Sequence, residues 1–396
     1  MFKFVYDREY LGRPWPNLAP EQDASQGYYH FGNSAPWIVP ARLLYHCQEH
    51  EYAHQIVYVE DHIPDGSYYP VGLGWFSFDL DYFALMSNRV RDLLRNRTMQ
   101  VLFYNHEGDS PFREKTRLDQ LCELHDLSAD CYRFVSGNSE ADNIPGFVYF
   151  ADHELWYWRN GVRWNGQAQP GCAYHERPRT RQLTSLSRVH KWWRATTQSE
   201  MHRRGWLDHS YWSYNTVDIG DQRCDNPIEI FKFPGLESYM NQFVAGAPYT
   251  CDQLSVKEHN SHWQHVAEHF ENSYCNIVME TLYDAEQSGG TFITEKTFKP
   301  IRHAQPFVIF GTAGTLSKLR DLGYRTFDHA IDNSYDLETD NTQRFVKTLQ
   351  AIEQILSQDL HAWYIKCRAD IEHNQALFVT HKYNRLLALK QKLESK

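Results

Sequence analysis

The sequence predicts an α/β chain of two domains, each built on a parallel sheet. Three observations predict it. The chain has 396 residues, more than one ordinary core holds and enough for two domains of roughly 150–200 residues. Apolar strand-like runs alternate with helix-like runs in both halves, as they do where crossover helices join parallel strands. Between the halves lies a polar stretch with glycine and proline, Asn165-Gly166-Gln167-Ala168-Gln169-Pro170-Gly171, which runs on to Glu176-Arg177-Pro178-Arg179 and reads as a linker. The expected domains are 1–178 and 179–396.

In the first half the expected strands are Gln55–Glu60, Gln100–Tyr104 and Gly146–Phe150, with amphipathic helices over Arg89–Leu94 and Thr116–His125. Glu154–Trp158 and Val162–Trp164 read as weak strands. In the second half Leu183–Leu186, Tyr211–Tyr214, Cys275–Glu280 and Pro306–Phe310 read as strands. Lys191–Arg204, His262–Phe270, Thr297–His303 and Thr315–Leu322 read as helices, and Arg344–Leu356 and Leu360 to about Lys392 as long closing helices.

Composition narrows the function. Hydrophobic residues make up 42% and aromatics 15%, which argues against disorder. The formal net charge is −10, unlike a general nucleic-acid binder. A local basic patch, Arg177 to Arg204, suits a small anionic ligand such as a diphosphate. Eight scattered cysteines with no C-x-x-C point to reduced thiols and a cytoplasmic setting. No run of 18 apolar residues is present, so no membrane span is expected.

The most informative segment is 273–336. It reads as a strand ending in Glu280, a loop with Gly289-Gly290, and Thr294 placed to cap a helix. A capped helix start presents free backbone amides and the positive end of the helix dipole to an anion. Lys296 adds a full charge, and Glu295 suits a pair of ribose hydroxyls. The same residues also fit an ordinary capped helix. Glu280 with Thr294-Glu295-Lys296, followed by Gln305-Pro306-Phe307-Val308-Ile309, resembles the donor-binding motif of the α1,3-fucosyltransferases. Gly323–Asp328 and Ile331–Asp336 resemble a related group of uncharacterised, often viral, glycosyltransferase-like proteins. The resemblance implies a GT-B fold, two Rossmann-like domains facing across a cleft, with a nucleotide-sugar donor on the C-terminal one. It also implies an Arg near the end of that domain's first strand to neutralise the diphosphate, and Arg188 and Arg194 fit. The chain departs from the family at Thr297-Phe298-Lys299-Pro300-Ile301, so the resemblance does not name the sugar.

The implied activity is inverting sugar transfer with no metal and no cofactor beyond the donor. The acceptor stays open among a glycan, a lipid-linked sugar, a protein and a modified DNA base. Transfer needs a base for the acceptor proton. Glu107 is the candidate because it follows a strand, where α/β sheets place ligands; Asp61, His106 and Asp152 are rivals. Other patterns lead elsewhere. His50-Glu51-Tyr52-Ala53-His54 matches the zinc-hydrolase pattern H-E-x-x-H, which requires a helix. His259, His262, His265 and His269 are spaced as on a helix. Asp79-Leu80-Asp81 is a D-x-D, and Gly311-Thr312-Ala313-Gly314 follows a strand as an anion loop does. A sugar- or nucleotide-binding module without catalysis is the remaining alternative.

Overall fold

The computed structural model describes residues 1–6, 41–73, 81–162, 171–187, 189–215, 236–251, 266–284 and 289–395. The chain forms two compact α/β units. The first comprises Met1–Leu155, Gln287–Gly290 and His381–Lys396, and the second Trp156–Glu286 and Thr291–Thr380. Residues 165–170 of the expected linker lie outside the described residues, and 171–179 form neither helix nor strand.

The first unit is a six-stranded sheet in the order β2-β1-β3-β4-β5-β6. Its strands are β1 (Phe2–Tyr6), β2 (His54–Tyr58), β3 (Tyr68–Leu73), β4 (Gln100–Asn105), β5 (Tyr132–Ser136) and β6 (Phe147–Tyr149). Every pairing is parallel. Helices connect them, among them Ala41–Glu49, Asn88–Arg95 and Pro111–Leu124. β3 reads Tyr-Tyr-Pro-Val-Gly-Leu, and all six residues are buried. A proline usually argues against an interior strand, because it lacks an N–H for the ladder. Here β3 meets β1 only at Tyr68, opposite Phe4, so that ladder ends before Pro70. The closing helix Lys382–Ser395 sets Leu386, Leu389 and Leu393 against Phe2, Phe4 and Leu155 in this unit's core.

The second unit has a four-stranded sheet in the order β10-β9-β7-β8. Its strands are β7 (Arg181–Ser187), β8 (Tyr211–Tyr214), β9 (Ser273–Met279) and β10 (Phe307–Phe310), again all parallel. β9 and β10 are buried along their whole length, as strands covered on both faces are. Crossovers and flanking layers include Trp192–Arg203, Glu295–Arg302, Thr315–Asp321 and Asn341–Leu356.

Two expectations are corrected. Glu154–Trp158 is not a strand but part of the helix Asp152–Val162. Its aromatics Trp156 and Tyr157 are both buried, and neighbouring buried residues mimic a strand when read without context. The single helix expected from Leu360 is three, Leu360–Lys366, Arg368–Thr380 and Lys382–Ser395. Among the described residues no helix is long and apolar enough to cross a membrane.

Candidate functional site

In an open parallel sheet, ligands settle beyond the carboxyl ends of the strands where the strand order reverses. In the second unit the chain runs from β7 to β8 on one side, then returns to place β9 on the other side of β7. The reversal therefore lies between β7 and β9. Beyond their carboxyl ends come Val189–Arg194 and Glu280–Thr281, so the sheet order singles out the same segment as the sequence pattern.

Glu280 is 1% exposed. Its carboxylate accepts from Thr294 N (3.0 Å) and Thr294 Oγ1 (2.6 Å), from Thr297 Oγ1 (2.6 Å) and from Thr281 N (3.1 Å). A carboxylate that accepts four hydrogen bonds is well compensated. It ties the end of β9 to the first turn of the helix Glu295–Arg302. Thr294 is the N-cap of that helix, as expected, and accepts from Lys296 N. Arg194 is 4% exposed and donates to the carbonyl oxygen of Glu280 at 2.8 Å, so it braces the same strand end from behind.

Two ammonium groups converge on Thr281. Lys191 Nζ donates to its carbonyl oxygen (3.0 Å) and Lys296 Nζ to its Oγ1 (3.1 Å). Lys296 Nζ also reaches Glu295 Oε1 at 2.9 Å and Thr294 Oγ1 at 3.2 Å. The Lys296 side chain is 29% exposed and that of Glu295 only 5%. The lysine is thus open to a ligand, whereas Glu295 does not sit at an open helix end. Lys191 belonged to the basic patch but not to the candidate set; its position just before a helix that starts next to the strand reversal was the signal. Arg188 lies outside the described residues.

The helix start that follows the loop Gly311–Gly314 is already taken by a carboxyl group of the protein's own. Asp336 accepts from Leu316 N (2.8 Å) and Ser317 N (2.9 Å) at the start of the helix Thr315–Asp321. Burial raises its pKa above the usual carboxylate range, and those two amides and Arg320 oppose the rise. Arg344, 2% exposed, donates to the carbonyl oxygens of Gly311 (3.1 Å) and Tyr283 (2.6 Å) and holds the loops after β9 and β10 together. No local pattern in the sequence announces that role.

In the first unit Glu107 follows β4. Its amide donates to Asn105 Oδ1 (2.9 Å), and its Oε1 lies 3.0 Å from His106 Nε2. Gly137, beyond β5, presses on this turn, where a Cβ would lie 2.6 Å from the His106 carbonyl oxygen. Asp152, a rival for the base, is 2% exposed and holds Tyr104 Oη and His46 Nε2. Asp61 is exposed.

The remaining patterns have structural explanations. His50 follows the helix Ala41–Glu49, Glu51 has φ +53°, and His54 opens β2, so the two histidines do not share a helix as H-E-x-x-H chemistry requires. Asp81 caps the helix Tyr82–Leu85 and pairs with His125 at 2.8 Å; Asp79 lies outside the described residues, as do His259, His262 and His265. His269 is stacked on Tyr211.

No protein-family model and no curated protein matches this chain. Among solved structures it is similar to an α,α-trehalose-phosphate synthase (UDP-forming) from Burkholderia vietnamiensis and to an α,α-trehalose 6-phosphate synthase from Burkholderia multivorans. Each match has 13% identity and a TM-score of 0.40; it covers 90% of this chain and 79% and 74% of those chains. At such distance only the site's own chemistry can speak for the function.

Proposed function

We propose that this chain is a glycosyltransferase that takes a sugar from a nucleotide-sugar donor bound at the strand reversal of the second unit. The observation that carries the reading is the convergence of Lys191 and Lys296 on Thr281, on a loop fixed by Glu280. Lys191 Nζ bonds the Thr281 carbonyl oxygen, and Lys296 Nζ the hydroxyls of Thr281 and Thr294 and the Glu295 carboxylate; a diphosphate at this place offers further charge-assisted partners. In this reading Lys296, with Arg188 in support, stabilises the leaving nucleoside diphosphate without a metal. Glu295, nearly buried, holds the Lys296 ammonium in place and meets the ribose hydroxyls only if that pair opens on donor binding. Glu280, Thr294 and Arg194 act as positioning residues. The resemblance of this segment to the fucosyltransferase donor motif supports the same assignment. Glu107 is proposed as the base that removes the acceptor proton, giving inversion.

A thermal-shift series with nucleoside mono- and diphosphates tests the donor site, because a saturating ligand raises stability by RT ln(1 + [L]/Kd). The parent is expected to respond to at least one diphosphate. Lys296→Ala should then weaken that diphosphate by about 1.5–3 kcal/mol, with much less effect on the monophosphate. A parent indifferent to every nucleotide sinks the reading. Glu107→Gln should leave diphosphate binding unchanged and slow transfer by about 10²–10⁴-fold; transfer at the parental rate would remove Glu107 from the mechanism.

A further inference from the structure

The far end of the helix Glu295–Arg302 has the opposite character. Arg302, its last residue, is 5% exposed, and neither of its terminal guanidinium nitrogens has a hydrogen-bond partner. Among the described residues it makes no ion pair. Arg194 and Arg344 are equally buried but donate to carbonyl oxygens; Arg302 lacks even that. Its guanidinium lies 5.8 Å from the ring of Tyr157, a fully buried residue whose hydroxyl is also without a partner. The guanidinium acts on the phenol, but neither group has a partner at hydrogen-bond distance, so both donors remain available in one buried place.

The chain passes close to the Arg302 main chain. A Cβ on Gly171 would lie 2.3 Å from the Arg302 carbonyl oxygen and 2.9 Å from its Cγ, so only glycine lets the chain pass so close. Gln375 Nε2 donates to the carbonyl oxygens of both Arg302 (2.9 Å) and Cys172 (2.8 Å), and fixes that approach. Gly171 and Gln375 thus pin the backbone from which the buried Arg302 side chain departs.

An arginine does not lose its proton in a protein, and a buried charge without a counter-charge is strongly unfavourable. Among the described residues no neighbour supplies the negative charge. Burial pushes the Tyr157 phenol up to about 12 although Arg302 pulls it down, and burial likewise raises the Cys172 thiol to about 11. Both are neutral at physiological pH. Glu295, which acts on Tyr157, is held by Lys296, and Glu271, which acts on Cys172, is bonded by Arg177 at 2.6 Å.

We infer that Arg302 and Tyr157 hold a small inorganic anion, of chloride size, inside the second unit. The anion neutralises the buried guanidinium and is independent of any nucleotide at Lys296. The test uses the full chain exchanged into gluconate buffer at fixed ionic strength, then titrated with chloride or bromide. The thermal midpoint is expected to rise and saturate with halide. Arg302→Met should lose that response and melt no lower than the parent in gluconate. Tyr157→Phe should keep the fold and raise the half-saturating halide concentration by about 10-fold, the loss of one hydrogen bond to a charged group. Excess ³⁵Cl linewidth should be seen with the parent and reduced by Tyr157→Phe, which decides the matter even if Arg302→Met fails to fold. A parent midpoint equal in gluconate and halide, a halide response retained by Arg302→Met, or a linewidth unchanged in Tyr157→Phe would each overturn the inference.

Discussion

Lys382 in the first unit and Arg302 in the second are buried to the same degree, each 5% exposed, yet they meet burial by different chemistry. Lys382 opens the closing helix of the first unit near Glu154, whose oxygens already accept from Arg385 at 2.8 and 3.3 Å. Burial pushes its amine down from 10.5 to about 7, with Glu154 opposing the fall. The lysine can give up its proton and become a neutral amine; arginine has no such exit. The first unit therefore pays for its buried cation in pH dependence, and the second in dependence on a counter-anion. The chemistry of the side chain, more than the depth of burial, sets which solution variable stability follows.

The largest expected effect is at Lys382. A lysine whose folded pKa is depressed contributes stability that is present above its unfolded pKa and is lost as pH falls through the folded one. Between pH 7 and 10.5 the unfolded chain binds the extra proton, so stability rises with pH across that window. The fall of the amine from 10.5 to about 7 sets an upper bound of about 5 kcal/mol. Lys382→Met should abolish the rise and be more stable than the parent at pH 7. Denaturant unfolding over a pH series checks this, and an unchanged slope would mean that the amine is solvated, which breaks the comparison.

The same division between local and distant causes decides what was legible in the sequence. Thr294 was legible as a helix cap, because a threonine before an acidic first turn is a local signal, and the strands β4, β7, β9 and β10 were legible from their apolar runs. β1, β3 and β5 were missed. Pro70 disguised β3, since its tolerance depends on where the β1 ladder stops. Glu280 was read as a ligand residue, but four donors from Thr281, Thr294 and Thr297 claim its carboxylate, and one of those donors is 17 positions away. Nothing in the local sequence marks Arg302. A lone arginine at a helix end normally meets solvent, and its burial here depends on contacts from far earlier in the chain, among them Gly171 and Tyr157.

The smallest expected effect is also the most direct link between the two cations. Arg302→Lys keeps the charge available but makes it removable, so it should carry the behaviour of the first unit into the second. Made in the Lys382→Met background, where the parental pH slope is gone, it should restore a rise in stability between neutral and alkaline pH. A shorter side chain leaves more room for relaxation than Lys382 has, so the rise should be smaller, about 1–2 kcal/mol. The sign is again that of a depressed lysine: stability present at alkaline pH and lost as the amine takes up its proton. Halide dependence should appear only on the acidic side of that transition, where the introduced ammonium would need a counter-charge, and vanish on the alkaline side. Unfolding at pH 7 and pH 10, with and without chloride, measures both effects. A double variant that stays halide-dependent at pH 10, with no pH-dependent rise, would mean that the anion is held by neutral donors and that the guanidinium charge is compensated in another way.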